Sequence, residues 1–146
     1  MVNHQHAKVL LVEDSKFLRL ANERILTKAG YVVTSASDGE EALRFANEKL
    51  PDIILLDMIL PKMSGPDVLR KLKQSPATAT IPVIVISSLS QKNEKKLIDE
   101  GAAAYFEKSN LDLENNADWL AAAVENVLDQ ADKGKQTAPL APAVNS

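Results

Sequence analysis

Four consecutive apolar residues, Ile53-Ile54-Leu55-Leu56, end abruptly at Asp57. The run is too short and too uniformly apolar for an amphipathic helix. Bounded by Pro51 on one side and by Pro61 and Gly65 on the other, it reads as a strand buried on both faces. A carboxylate at the end of such a strand needs a reason, because a charge leaves water only at a cost. Asp57 is therefore expected at the strand mouth, hydrogen-bonded, beside a cation, or both. Taken alone it reads as a cap on the following loop. What else converges on that edge decides between a cap and a site.

Similar runs recur along the chain. Residues 7–12 (Ala-Lys-Val-Leu-Leu-Val) form one and stop at the acidic pair Glu13-Asp14. Ser15 is an N-cap for a helix with apolar residues at Leu18, Ala21, Ile25 and Ala29, and Gly30 closes it. Residues 31–36 are β-branched and strand-like. Ser37-Asp38-Gly39-Glu40 has the capping-box pattern, opening a helix with Ala42, Phe45, Ala46 and Leu50. After the central strand a third helix is expected over about 64–74, then a strand at 81–86 ended by Ser87-Ser88. A polar helix over about 91–100 stops at Gly101, and residues 103–106 form a short strand followed by Glu107-Lys108. Asn115 or Asn116 caps a last helix with a stripe at Leu120, Val124, Val127 or Leu128, and Ala131.

Continuous apolar strands alternating with helices specify an α/β fold: a doubly wound, five-stranded parallel sheet with five helices on its two faces, of flavodoxin-like architecture. The expected organisation is a loose tail at 1–6, one domain over 7–131 and a flexible tail over 132–146, where Lys, Gly, Thr, Ala and Pro lose all periodicity. His4 and His6 in the first tail read as solvated side chains.

The chain has 146 residues, 45% of them apolar, enough for one full core. Its 17 basic and 20 acidic residues argue against a general nucleic-acid binder. There is no cysteine, hence no disulfide framework, thiolate metal site or cysteine nucleophile. Neither a signal pattern nor an apolar run near the roughly 20 residues of a membrane span is present. A soluble, cytoplasmic protein is the resulting expectation.

In such folds ligands bind at the carboxyl ends of the strands, near the reversal of strand order. Glu13, Asp14, Asp57, Ser87 and Lys108 all follow strand ends, so one sheet edge gathers them. Three crowded carboxylates repel unless a divalent cation sits among them, and an oxygen-only set suits Mg²⁺ or Mn²⁺. A cation, a lysine and a hydroxyl around a third carboxylate make a cage for a phosphoryl group, with Asp57 as nucleophile.

The motifs Val12-Glu13-Asp14, the stretch from Leu56 to Gly65, Ser87, and Tyr105-Phe106-Glu107-Lys108 together resemble the receiver domain of two-component response regulators over about residues 7–130. The resemblance implies Asp57 as phosphoacceptor, supplied by a histidine kinase or histidine phosphotransfer protein. It implies Asp14, Asp57 and the backbone carbonyl of Ile59 as Mg²⁺ ligands, Glu13 holding a metal-bound water, Lys108 on the phosphoryl oxygens, and Ser87 with Tyr105 as the switch pair. It also implies a signalling phosphoprotein that is no turnover enzyme. The expected form is a stand-alone, CheY-like receiver that contacts an unnamed downstream protein and leaves room for a phosphorylation-dependent homodimer, without direct nucleic-acid or membrane binding. Lys92, Lys95, Lys96 and Trp119 are candidates for the partner surface.

Two residues depart from the family pattern. Ser109 replaces the proline that usually follows the lysine in a cis peptide, a form costing about 3 kcal/mol before other residues, which leaves the course of 109–113 open. Ser87 replaces the commoner Thr. Ile59 and Leu89, at positions that tune dephosphorylation in the family, are apolar and predict a long-lived acyl phosphate. The competing classes are a pseudo-receiver working without phosphorylation, a haloacid-dehalogenase-type phosphohydrolase and a flavin or nucleotide module. The hydrolase would need Asp where Ile59 stands, and the nucleotide module a glycine-rich phosphate loop that the sequence lacks.

Overall fold

Strands that are apolar at every position can be buried only if helices cover both faces of their sheet. A computed structural model of the chain, describing residues 6–87, 94–107 and 118–145, has that arrangement. Among the described residues the strands are β1 (Lys8–Val12), β2 (Val32–Ala36), β3 (Ile53–Asp57), β4 (Val83–Ser87) and β5 (Ala104–Glu107). They alternate with α1 (Lys16–Lys28), α2 (Gly39–Lys49), α3 (Gly65–Gln74), α4 (Glu94–Asp99) and α5 (Asp118–Asn145). All pairings are parallel, in the order β2-β1-β3-β4-β5. Strand order reverses between β1 and β3.

The two faces of β3 divide the core. Ile54 and Leu56 pack with Val68, Leu69 and Leu72 of α3 and Leu97 of α4. Ile53 and Leu55 pack with Leu26 of α1 and with Leu120, Val124 and Leu128 of α5. All four β3 side chains are fully buried.

Helix ends follow cap chemistry. Ser15 Oγ accepts from Leu18 N at 3.3 Å and Ser64 Oγ from Asp67 N at 3.3 Å. α1 and α4 both close in Schellman motifs on glycines with positive φ, Gly30 at 104° and Gly101 at 116°. In each, the residue after the glycine reaches back five positions, Tyr31 N to Leu26 O and Ala102 N to Leu97 O.

Several expectations shift. The box at the start of α2 is one residue later than the sequence suggests. Asp38 is the N-cap and accepts from Glu41 N at 2.8 Å, while Glu41 Oε1 reaches back to Ser37 N at 2.9 Å. A carboxylate accepts these N–H groups more strongly than a hydroxyl, and that acceptance holds the Asp38 carboxyl below its ordinary pKa. Leu50 is not on the buried stripe of α2: it is the left-handed C-cap, φ 46°, and is exposed. Pro51 follows it and disfavours helical geometry there. In α1 the buried anchor is Leu26, while Ala29 is the exposed C-cap. His6 is tied down, its N–H donating to Gly30 O at 2.8 Å. The backbone of α5 runs on to Asn145. Ala131, Lys133, Lys135 and Gln136 are good helix formers and extend a helix already fixed by its packed first turns.

Candidate functional site

The register of the sheet builds the site. Val12 pairs with Leu56, so Glu13, the next residue, is level with Asp57. Asp57 pairs with Ile86, and Ser87 with Glu107. One carboxylate oxygen from each of Glu13, Asp14 and Asp57 lies within 4.8 Å of the other two. Glu13 and Asp57 are buried, at 4% and 6% exposure, whereas Asp14 is exposed. The cluster lies where strand order reverses, the place this topology reserves for ligands.

Local hydrogen bonds hold the acids in place. Glu13 Oε2 accepts from Ser15 N at 3.1 Å, and Asp57 Oδ1 accepts from Ile59 N at 3.4 Å. Gly65 closes the loop that follows Asp57: its N–H donates to Met58 O at 2.9 Å. A Cβ there would stand 2.5 Å from Asp57 O and 2.6 Å from Met58 Cα, so only glycine lets the start of α3 come this near the acid. Lys62, φ 68°, turns the same loop toward α2 and lies 3.5 Å from the Asp38 carboxylate.

One contributor escaped the sequence reading. Arg19 donates through Nη1 to Glu13 O at 2.9 Å and to Asp14 O at 3.4 Å, clamping the acidic loop from behind. A signal existed. The first turn of α1 holds Lys16 and Arg19 and no acid, the wrong sign for a helix N-terminus.

The other expected residues divide. The Ile59 side chain is exposed at 56%. Tyr105 lies on β5 opposite Val85 and packs, half-buried, on the α2–α3–α4 side of the core. Lys95 and Lys96 are exposed on α4. Trp119 is half-buried at the start of α5. Its ring packs on the α1–α5 core, with its centroid 5.5 Å from that of Phe106. The backbone of Ser87 ends β4. Its side chain, Lys92, Leu89, Lys108, residues 109–113 and the Asn115 or Asn116 cap lie outside the described residues.

Chemically, three carboxylates at this spacing offer only hard oxygen donors, and two of them are withdrawn from water. That set fits a small divalent cation such as Mg²⁺ and not a soft metal. A parallel 2-1-3-4-5 sheet with a carboxylate trio at its switch point therefore defines a class: an α/β module built to handle charge at the β1–β3 edge.

Comparison with known proteins narrows that class. Residues 9–117 match the family described as the response regulator receiver domain. The gliding motility regulatory protein of Myxococcus xanthus is 41% identical over 108 residues, covering 73% of this chain and 14% of that protein. Response regulator PleD of Caulobacter vibrioides is 40% identical over 103 residues, covering 70% of this chain and 23% of that protein. The chain thus spans a small part of each of these relatives. Among solved structures, the chemotaxis response regulator CheY4 of Vibrio cholerae superposes with a TM-score of 0.74 at 27% identity, over 84% of this chain and 99% of that one. The chain belongs to the receiver-domain family of two-component response regulators, modules of phosphorylation-dependent signalling. No described helix is long and apolar enough to cross a membrane.

Proposed function

We propose that Asp57 accepts a phosphoryl group and that the domain is the switch it operates. The observation that carries this is the carboxylate trio: Asp57 ends the central strand, is 6% exposed, and has Glu13 and Asp14 within 4.8 Å. Asp14, Asp57 and the Ile59 carbonyl would hold Mg²⁺, or Mn²⁺ in its place, with Glu13 holding a bound water. The ion supplies positive charge against the phosphoryl oxygens. The donor is a histidine kinase or phosphotransfer protein. An Asp57 oxygen bonds to phosphorus as the bond from phosphorus to the donor's imidazole nitrogen breaks, and that nitrogen takes back its lone pair.

Lys108 binds the phosphoryl oxygens, and Ser87 follows the group while Tyr105 turns inward behind it. The α4–β5–α5 surface, with Lys92, Lys95 and Lys96, then exchanges between two populations and engages a downstream protein or a second copy. The cytoplasm, where kinases work, is the site of action, and the chain turns over no external substrate. Ile59, apolar and exposed, orients no water against the acyl phosphate, which should outlast the timescale of seconds.

The test is to incubate the chain with Mg²⁺ and acetyl phosphate, or beryllofluoride, beside Asp57→Ala. A one-to-one adduct that needs both Asp57 and Mg²⁺ is expected. Phosphorylation of Asp57→Ala, or labelling in EDTA, would overturn the assignment.

A further inference from the structure

The loop from Met58 to Ser64 joins Asp57 to α3, and the first turn of α2 crowds it from the side. A Cβ at Gly39 would stand 2.6 Å from Met63 Cβ, 2.8 Å from Met63 O and 2.9 Å from Val68 Cγ2. Carbon atoms pack at about 3.5–4.0 Å, so any larger residue at position 39 drives Met63 away by about 1 Å. Met63 Cβ and O are fixed to the backbone and cannot swing aside, so the loop itself must move. Two polar contacts cross the same seam. The Gly39 N–H donates to Pro61 O at 3.5 Å, and Lys62 Nζ lies 3.5 Å from Asp38 Oδ2. Lys62 is exposed, so its ion pair adds little, and close packing at Gly39 is the stronger constraint.

The loop transmits what it feels there. Met63 N–H donates to Pro61 O at 2.7 Å, and Lys62 between them adopts φ 68°. A lysine seldom takes that left-handed conformation, and the contacts on either side hold it. At the base of the loop Gly65 N–H donates to Met58 O at 2.9 Å. A displacement of Met63 is therefore not absorbed by slack chain. It passes back through a short, tied segment to Ile59, whose N–H donates to Asp57 Oδ1.

We propose that the start of α2, through Asp38 and Gly39, positions the Ile59 carbonyl and so sets the preference of the acids for Mg²⁺ over Ca²⁺. The inference rests on the reading that gives this carbonyl to the cation. Mg²⁺ needs near-ideal octahedral oxygens at about 2.0–2.1 Å, while Ca²⁺ takes about six to eight at roughly 2.3–2.6 Å in irregular arrangements. A loop held from the side presents one fixed oxygen, which suits the smaller ion. A loosened loop serves the larger ion nearly as well. Asp38 holds the turn in place by accepting from Glu41 N, and Gly39 lets it come close enough to press on Met63. Both act through the loop, as positioning residues.

The full chain, ¹⁵N-labelled, is titrated with MgCl₂ and separately with CaCl₂ while the Ile59 amide signal is followed, with Asp57→Ala as the blank. Gly39→Ala should weaken Mg²⁺ about ten-fold, the usual scale for a residue behind a metal ligand, and Ca²⁺ by about two-fold at most. Asp38→Ala frays the same turn without adding bulk and should move the Mg²⁺/Ca²⁺ affinity ratio the same way. Gly101→Ala strains a glycine of φ 116° ahead of β5, at the amino-terminal end of the strands. It should lower stability yet leave the ratio as in the wild type, which separates positioning from general loosening. A ratio unchanged in both Gly39→Ala and Asp38→Ala, in a wild type that binds Mg²⁺ through Asp57, overturns this inference alone. So does an equal change of ratio in Gly101→Ala. Wild-type Mg²⁺ binding that does not need Asp57 overturns the assignment of the acids and this inference with it.

Discussion

Replacing Asp57 with asparagine keeps the volume and deletes one charge from a crowded trio, and the sign of its effect on stability depends on the metal. The oxygens of Glu13 and Asp57 lie within 4.8 Å and both residues are buried. At an effective dielectric of about 20, two such charges repel by roughly 3 kcal/mol. Asp14 is exposed, and its repulsion with Asp57 falls toward the roughly 1 kcal/mol of charges in water. Against this relief stands the weakening of the contacts made by the Asp57 carboxylate, among them the long bond from Ile59 N at 3.4 Å, together worth about 1–2 kcal/mol. In EDTA, Asp57→Asn should be the more stable protein by about 2 kcal/mol, a rise in Tm of about 4–8 °C for a domain of this size. In Mg²⁺ the order closes or reverses, because the wild type gains about 2.7 kcal/mol at a hundred times its Kd while the variant has lost a ligand. Calorimetric melts with EDTA and with graded Mg²⁺ measure both halves. A variant less stable than wild type in EDTA, or one with an undiminished Mg²⁺ response, would refute the reasoning.

Three further outcomes follow from particular contacts. Arg19→Ala removes the clamp on the Glu13 and Asp14 carbonyls; it should cost about 1 kcal/mol in urea melts and weaken Mg²⁺ binding several-fold in isothermal titration, with the fold unchanged by circular dichroism. Leu50→Gly places the residue that suits φ 46° at an exposed cap, and should raise stability by about 1 kcal/mol. Tyr31 donates through its hydroxyl to Glu125 Oε2 at 2.7 Å, and burial first, then that bond and the Glu125 charge, push its phenol up. The unfolded phenol ionises near pH 10, so this contribution is complete below about pH 10 and drains as the pH climbs toward the raised folded value. Wild type should lose stability more steeply than Tyr31→Phe between about pH 9.5 and 11, and parallel curves would refute it.

The parts of this molecule legible in sequence are those in which one residue type answers one local demand. β3 is apolar from Ile53 to Leu56 because both its faces are covered, and the same lack of alternation announces the parallel sheet before any pairing is known. The left-handed stops at Gly30 and Gly101 were visible for the same reason. Choices between near-equal neighbours were less legible: Ser37 and Asp38 both cap helices, and the carboxylate prevailed by accepting from Glu41 N. Leu50 satisfied the helical period and was overruled by Pro51. The reach of Arg19 back to the Glu13 and Asp14 carbonyls depends on three-dimensional distances, which no period encodes.

The carboxylates fall between these cases. The sequence places Glu13 and Asp57 at strand ends, but only the pairing of Val12 with Leu56 makes them neighbours. That pairing is fixed by the core, since sliding β1 by one residue would turn its side chains to the wrong face of the sheet. The apolar residues of β1 and β3 therefore do more than fill the interior. They hold two buried acids near one another against their repulsion, and a bound cation or a charge change at Asp57 relieves what the core enforces.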